Sequence, residues 1–311
     1  MLNEMDDDQH ETIEVTNEEE NDNAPKCDME RWRTILGQVV WITRVRIDII
    51  LAVSRMCGRT HKATTKDMEH LEKLVAFIHF TKKMGRTFHP ATTQAEREMK
   101  LIAYCDAAHK AYKEDSQAQL GYGIKIGGAE SKSAMFSAAS KKNATTTPLS
   151  SCGSELAASV EATKDVIYTR GLMEELGFPQ EESTPIQEDN ASLIRVTSDY
   201  NKGTRKMRQS MQLIHFMMDN IKRKVVELTK TKGEELAADN FTKPTTPKRY
   251  WKHITTIMGE HPDIEDARQR AGQIREKKEI IQETKKERSK VREIITKNLV
   301  NTIRVEWKRT W

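Results

Sequence analysis

Apolar positions along the chain change their period, and the changes mark out its segments. Between residues 28 and 85 they recur at three- and four-residue steps. Trp32, Ile35, Leu36, Val39, Val40 and Ile42 make a first run, and Ile47, Ile49, Ile50, Leu51, Val53 and Met56 a second. Met68, Leu71, Leu74, Val75 and Ile78 make a third, which closes at Gly85. Such steps line one face of a helix, so a small helical module is expected over 28–97. From residue 98 to 245 the pattern becomes mixed. Leu101, Ala103 and Cys105 alternate with Ile102, Tyr104 and Asp106, as in a strand. Leu120–Gly128 and Ser133–Ser140 read as two more strands around a Gly-Gly turn. A helix is expected from about Cys152 to Leu176, capped by Ser150 or Ser151 and ended by Gly177 and Pro179. Its apolar stripe reads Leu156, Val160, Thr163 and Ile167. Thr184–Gln187 is a fourth strand running into Glu188-Asp189-Asn190 and a helix, Lys206–Asn220 a second helix, Lys224–Thr229 a fifth strand and Glu234–Asn240 a short closing helix. The order β-β-β-α-β-α-α-β-α implies an α/β fold, a mixed sheet with helices on its faces.

Charge sharpens the boundaries. The net charge over 311 residues is only +4, but residues 1–25 hold ten acids and no Lys or Arg, leaving +14 on the rest. Residues 1–27 form an acidic head too poor in apolar groups to repay ordering, and disorder is expected. The region 246–311 reads as a charged helical tail. Its part from Ile264 onward holds 14 basic and 8 acidic residues around a thin stripe of Ile274, Ile281, Val291, Ile295 and Leu299. That stripe fits a partner helix or self-association, a nucleic-acid-binding arm, or a solvated extension. No run reaches the roughly 18–20 apolar residues of a membrane span, and the acidic start is unlike a secretory leader. The scattered Cys27, Cys57, Cys105 and Cys152 fit a reducing compartment, cytoplasmic or nuclear, and make neither a disulfide framework nor a zinc ribbon.

Four acids stand where chemistry is expected. Asp106 closes the first strand and Asp189 the fourth; parallel neighbouring strands would bring them together beyond their carboxyl ends. Glu155 lies at the start of the long helix and Asp239 in the last short one. Converging carboxylates raise one another's pKa unless a countercharge joins them. Two divalent cations about 3.5–4 Å apart would supply it and clamp an in-line phosphodiester displacement. An all-oxygen ligand set selects Mg²⁺ or Mn²⁺ over zinc.

The residues around these acids resemble the RNase H domain at the C-terminus of copia-type retrotransposon Pol polyproteins. The family's Tyr-x-Asp-Ala is matched by Tyr104-Cys105-Asp106-Ala107 and its Ser-Gly-Tyr by Leu120-Gly121-Tyr122. Ser140-Lys141-Lys142 and Leu149-Ser150-Ser151-Cys152-Gly153-Ser154-Glu155 match the next two landmarks. Leu172-Met173-Glu174-Glu175-Leu176-Gly177, Asp189-Asn190 and Ala238-Asp239-Asn240-Phe241-Thr242-Lys243-Pro244 complete the series. Upstream, Ile35-Leu36-Gly37 and Arg46-Ile47-Asp48-Ile49 resemble segments just after the reverse-transcriptase palm, with Ile47 in place of the family's Pro. No Tyr-x-Asp-Asp occurs, so no DNA synthesis is expected. The family's Thr-Lys-His has no clear counterpart near Thr204-Arg205-Lys206 or Met207-Arg208-Gln209.

The resemblance implies an RNase H-like five-stranded mixed sheet over 98–245 and endonucleolytic hydrolysis of the RNA strand of RNA–DNA hybrids. Asp106, Glu155, Asp189 and Asp239 would be the catalytic acids and the ligands of Mg²⁺ or Mn²⁺, two ions in all. Ser154 and Asn190 are candidates for contacts to the 2′-OH face, and Lys141, Lys142, Arg205, Lys206 and Arg208 for backbone phosphates. Two other readings stay open: an inactive or co-opted RNase H-like module that only binds nucleic acid, and an interaction protein working through 264–311. A transposase on the same fold is disfavoured, because its Glu comes last of three acids.

Overall fold

Buried pairs of opposite charge, as much as apolar stripes, shape the first part of the chain. The computed structural model describes residues 24–112, 116–143, 150–198 and 209–277. The acidic head up to residue 23, Arg205, Lys206, Arg208 and the tail stripe beyond Ile274 lie outside them. Helix α1 (Met29–Ile42) starts where Asp28 accepts from the N–H groups of Glu30 and Arg31. The second apolar run does not make one helix. A 3₁₀ turn at Ile47–Ile49 precedes α2 (Ile50–Gly58), and the break follows from Arg46, whose non-helical backbone lets its guanidinium fork onto Asp48. Helix α3 (Thr65–Phe80) opens on a capping box between Thr64 and Asp67. It stops at Phe80, five residues before Gly85. The Thr81 hydroxyl donates back to the Phe77 carbonyl, and a turn carries the chain to Met84. A four-residue helix α4 (Gln94–Arg97), on a Thr93–Glu96 capping box, was not expected.

The sheet runs in the order β3-β2-β1-β4-β5. Strands β1 (Leu101–Ala108), β2 (Gln119–Ile126) and β3 (Met135–Lys142) are antiparallel neighbours. Strands β4 (Thr184–Glu188) and β5 (Val226–Lys230) lie parallel to β1 and to each other. Gly127 and Gly128, both at positive φ, turn the chain out of β2. The crossovers are helical, as parallel pairing demands. Helix α5 (Ser151–Glu175), N-capped by Ser150, leads into β4, and α6 (Ala191–Ser198) and α7 (Met211–Lys222) join β4 to β5. The expected mixed five-stranded sheet flanked by helices is therefore the fold.

Leu101, Ala103, Cys105 and Ala107 of β1 bury one face of the sheet together with Leu156, Val160 and Val166 of α5. Leu156, Val160 and Thr163 of the expected α5 stripe are buried, but Ile167 is 40% exposed while Val166 is fully buried. The buried face of this helix runs through Ser159, Ala162, Val166, Thr169 and Met173. Most of those side chains are too small or polar to register in a hydrophobic pattern. The expected closing helix is instead two 3₁₀ turns, Gly233–Glu235 and Ala237–Phe241, separated by extended Leu236. Helix α8 (Pro247–Met258) follows.

Chain contacts divide the molecule into one unit through Ile264 and another from Glu265. Within the first, the helical module packs on the sheet. Arg55 donates to the Ala111 carbonyl, Arg86 to that of Phe136, and the Tyr250 hydroxyl to Asp48. Of the second unit, residues 265–277 are described and helical. Among the described residues no helix is long and apolar enough to cross a membrane.

Candidate metal centre

Three of the four acids converge. Asp106, sixth residue of β1, faces neither solvent nor the sheet edge; it is paired across β2 with Gly121. Asp189 follows the last residue of β4, and because β1 and β4 are parallel neighbours it arrives beside Asp106. Glu155 is the fifth residue of α5, at the start of its second turn. One carboxylate oxygen from each of Asp106, Glu155 and Asp189 lies within 4.8 Å of the other two. The first two acids are buried and Asp189 is half-buried, which leaves one open side.

The fourth, Asp239, belongs to the Ala237–Phe241 turn, pressed against β2 at its two glycines. A Cβ on Gly121 would meet Thr242 Cγ2 at 2.6 Å and Phe241 Cβ at 2.7 Å, so only Gly permits this approach. The approach sets the Thr242 hydroxyl to donate to Asp106 Oδ2. Asp239 itself is fully buried but bound to cations: Lys243 Nζ lies 2.7 Å from Oδ1, and Arg249 pairs with Oδ2. It lies beside Asp106, with both oxygens buried and without a hydrogen-bond partner, though outside the three whose oxygens all lie within 4.8 Å of one another.

The electrostatics follow from burial. Desolvation, then the Asp239 charge, pushes Asp106 up, against the pull of Lys243 and Thr242. Desolvation, then Asp106, Glu188 and Asp189, pushes Glu155 far up. Glu155 Oε2 is buried and accepts no hydrogen bond. A buried carboxylate oxygen without a donor, beside two more carboxylates, is what a hard divalent cation fits, and oxygen-only donors favour Mg²⁺ or Mn²⁺.

The structure adds residues that the sequence pattern did not single out. Glu188, fully buried, accepts from the Asn190 N–H at 2.9 Å and lies 3.3 Å from both Cys105 Sγ and Ser159 Oγ. Burial pushes it up as well. Its hydrogen bond fixes the turn that presents Asp189. His109 Nδ1 lies 2.9 Å from Ser154 Oγ, one residue from Glu155. Nothing in local sequence marks His109 or Glu188, because only the fold brings them to the acids.

The candidate nucleic-acid contacts fare unequally. Ser154 is fully buried and its hydroxyl is spent on His109 and the Ser150 carbonyl, so it presents nothing to a groove, contrary to expectation. The Asn190 side-chain oxygen caps α6 by accepting from Ser192 and Leu193. Lys141 pairs with Glu161, and Lys142 stands 4.5 Å from the centre of the Tyr112 ring.

No protein-family model matches the chain. It is 28% identical over 80 residues to an uncharacterized mitochondrial protein of Arabidopsis thaliana, AtMg00810, a match covering 26% of this chain and 31% of that protein. The match thus spans about a third of the relative's length. Among solved structures, LC11-RNase H1 in complex with an RNA/DNA hybrid is similar at 17% identity and a TM-score of 0.35, covering 46% of this chain and 94% of the other. The N-terminal RNase H domain of Rv2228c from Mycobacterium tuberculosis is similar at 10% identity and a TM-score of 0.35, covering 56% and 97%.

Proposed function

We propose that this chain is an endonuclease of the RNase H type. It hydrolyses the RNA strand of RNA–DNA hybrids with Mg²⁺ or Mn²⁺, and it derives from the Pol polyprotein of a copia-type retrotransposon. The observation that carries the reading is the cluster of Asp106, Glu155 and Asp189, with a buried Glu155 oxygen that lacks a donor. These three would hold the cation, and Asp239 is the candidate fourth ligand. A divalent ion bound there supplies Lewis-acid polarisation of the scissile phosphate and a lower pKa for water. The protein's own part is positioning. Thr242 orients the Asp106 carboxylate, Glu188 holds the turn carrying Asp189, and the half-buried side of the cluster leaves room for a phosphate. Lys141 and Lys142 on β3, with Arg205, Lys206 and Arg208, are the proposed phosphate contacts, which makes hybrid binding salt-dependent and tolerant of sequence.

One observation favours the second reading, an inactive module that binds hybrids. Asp239, beside Asp106, is met by the cations Lys243 and Arg249, which compete with a metal ion for its carboxylate. Cleavage of an end-labelled RNA strand in a hybrid separates the two, with duplex DNA as the counter-substrate. Metal-dependent cleavage of the RNA alone, abolished by Asp106→Asn and by Asp189→Asn, is the expected result. Salt-sensitive hybrid binding without cleavage by the folded protein would replace the hydrolase with the binding module.

A further inference from the structure

The second half of α5 carries apolar side chains on the face turned away from the sheet. Ile167, Tyr168, Leu172 and Leu176 stand there, with Phe178 just past the helix end; Tyr168 is 71% exposed and Leu176 62%. Apolar surface left in water costs about 25 cal/mol per Å², and an exposed patch of several hundred Å² marks an interaction site. This one is rigid. Gly177, at φ +86°, closes the helix: its N–H donates to the Glu174 carbonyl and that of Phe178 to the Met173 carbonyl. Arg170 ties the chain beyond back to the helix by donating to the carbonyls of Gln180 and Glu182.

The two ends of the patch differ in charge. At its start one carboxylate, Glu161, answers both Lys141 and Lys164. At its end Glu174 and Glu175 are exposed and form no ion pair among the described residues. Between the ends, Lys164, Tyr168, Gly171 and Glu175 follow at steps of four, three and four, the spacing of a helix–helix seam. A second α5, antiparallel about a two-fold axis between residues 169 and 170, brings Lys164 to Glu175, Tyr168 to Gly171 and Ile167 to Leu172 of the other copy. A Cβ on Gly171 would have nothing within 4 Å, so its backbone is open to the other copy's Tyr168 ring.

From this self-complementary face we propose that the chain forms a two-fold dimer through the outer side of α5. The contact is isologous, so each pair occurs twice. A stable pair buries about 800 Å² per partner; the apolar patch supplies the centre and the charged ends the rim. Glu155 lies twelve residues, about 18 Å, before Ile167 on the same helix, so the acidic cluster stays open in the dimer. The dimer stands whether or not the chain cleaves hybrids.

Sedimentation equilibrium of the full chain tests it. The wild type should show a monomer–dimer equilibrium with a dissociation constant of about 1–50 µM. Tyr168→Glu and Leu172→Glu should each weaken it about thirtyfold or more, as loss of a central anchor does. Lys164→Glu alone and Glu175→Lys alone should each weaken it about tenfold, and the two together should restore it. Lys164 and Glu175 are exposed, so this pair keeps the test available even if a change within the patch disturbs folding. Ile281→Glu, in the tail stripe, should leave the equilibrium unaltered. A wild type that stays monomeric to about 200 µM would overturn the proposal and leave the face to a partner of another kind. A dimer lost in Ile281→Glu and indifferent to Tyr168→Glu would overturn it too, and would assign self-association to the tail. So would a double charge reversal that fails to recover what the single reversals lose.

Discussion

Replacing Asp106 by Asn should stabilise the cation-free protein while abolishing its response to cations. Asp106 is 1% exposed, and burial with the Asp239 charge raises its pKa from 3.8 to about 6. At pH 8 the carboxylate is therefore charged in the fold at a cost that the unfolded chain does not bear. A rise of that size corresponds to roughly 3 kcal/mol. The amide is nearly isosteric and still offers an oxygen to the Thr242 hydroxyl. It gives up the 3.5 Å pairing with half-exposed Lys243, worth about 0–1 kcal/mol. The net gain is about 2 kcal/mol, which for a unit of this size lifts the melting temperature by about 4–8 °C. Thermal unfolding followed by circular dichroism at pH 8 in EDTA measures it. Adding Mg²⁺ at about 100 times its Kd should stabilise the wild type by about 2.7 kcal/mol and the variant not at all, reversing their order. A variant that melts below the wild type in EDTA, or that gains equally from Mg²⁺, would refute the reasoning.

The cation-free wild type should itself lose stability as pH rises. Asp106 and Glu188 have raised pKa values, about 6 and about 7, so their neutral forms favour the fold, and that contribution fades between about pH 4 and 7. Its melting temperature in EDTA is accordingly expected to be lower at pH 8 than at pH 5, with Mg²⁺ narrowing the gap; a rise over that interval would contradict the burial argument. Gly121→Ala should cost about 1–3 kcal/mol and weaken Mn²⁺ binding by displacing Thr242 from Asp106, as denaturant titration and calorimetry would report. Asp48→Ala removes one partner of the buried Arg46–Asp48–Tyr250 group and should cost about 3–5 kcal/mol. Because that group joins the helical module to α8, helix and sheet signals should be lost in one transition; separate transitions would show that the two parts fold independently.

Much of this architecture can be read in the chain because its strands are short apolar runs and its turns are explicit. Leu101–Ala107 is a short run buried on both faces, Gly127-Gly128 turns where Gly is needed, and Ser150 caps α5 as its side chain allows. The misreadings have a common cause in tertiary structure. Ile47–Ile49 looks like part of a helix until Arg46 and Asp48 are drawn inward toward Tyr250, 202 residues away from Asp48 in sequence. The inner face of α5 mixes Leu156, Val160, Val166 and Met173 with many small Ser, Ala and Thr residues, so hydrophobic periodicity assigned Ile167 to a core that Val166 fills. At the candidate site, parallel pairing of β1 with β4 suffices to bring Asp106 and Asp189 together, and helix α5 brings Glu155. The inward face of α5 was legible in Leu156, Val160 and Thr163, but the burial of Ser154 against His109 was not, because only the fold brings His109 there. Arg249 shows the same limit. It lies ten residues past Asp239 and on another element, and no spacing rule connects the two.

The acidic cluster as a cation site is tested most directly by anomalous diffraction from crystals of the full chain grown with Mn²⁺. The expected result is a strong anomalous peak bonded to carboxylate oxygens of Asp106, Glu155 and Asp189, absent from crystals of Asp189→Asn. Ordered carboxylates with no peak between them, at Mn²⁺ concentrations that support binding elsewhere on the protein, would contradict it.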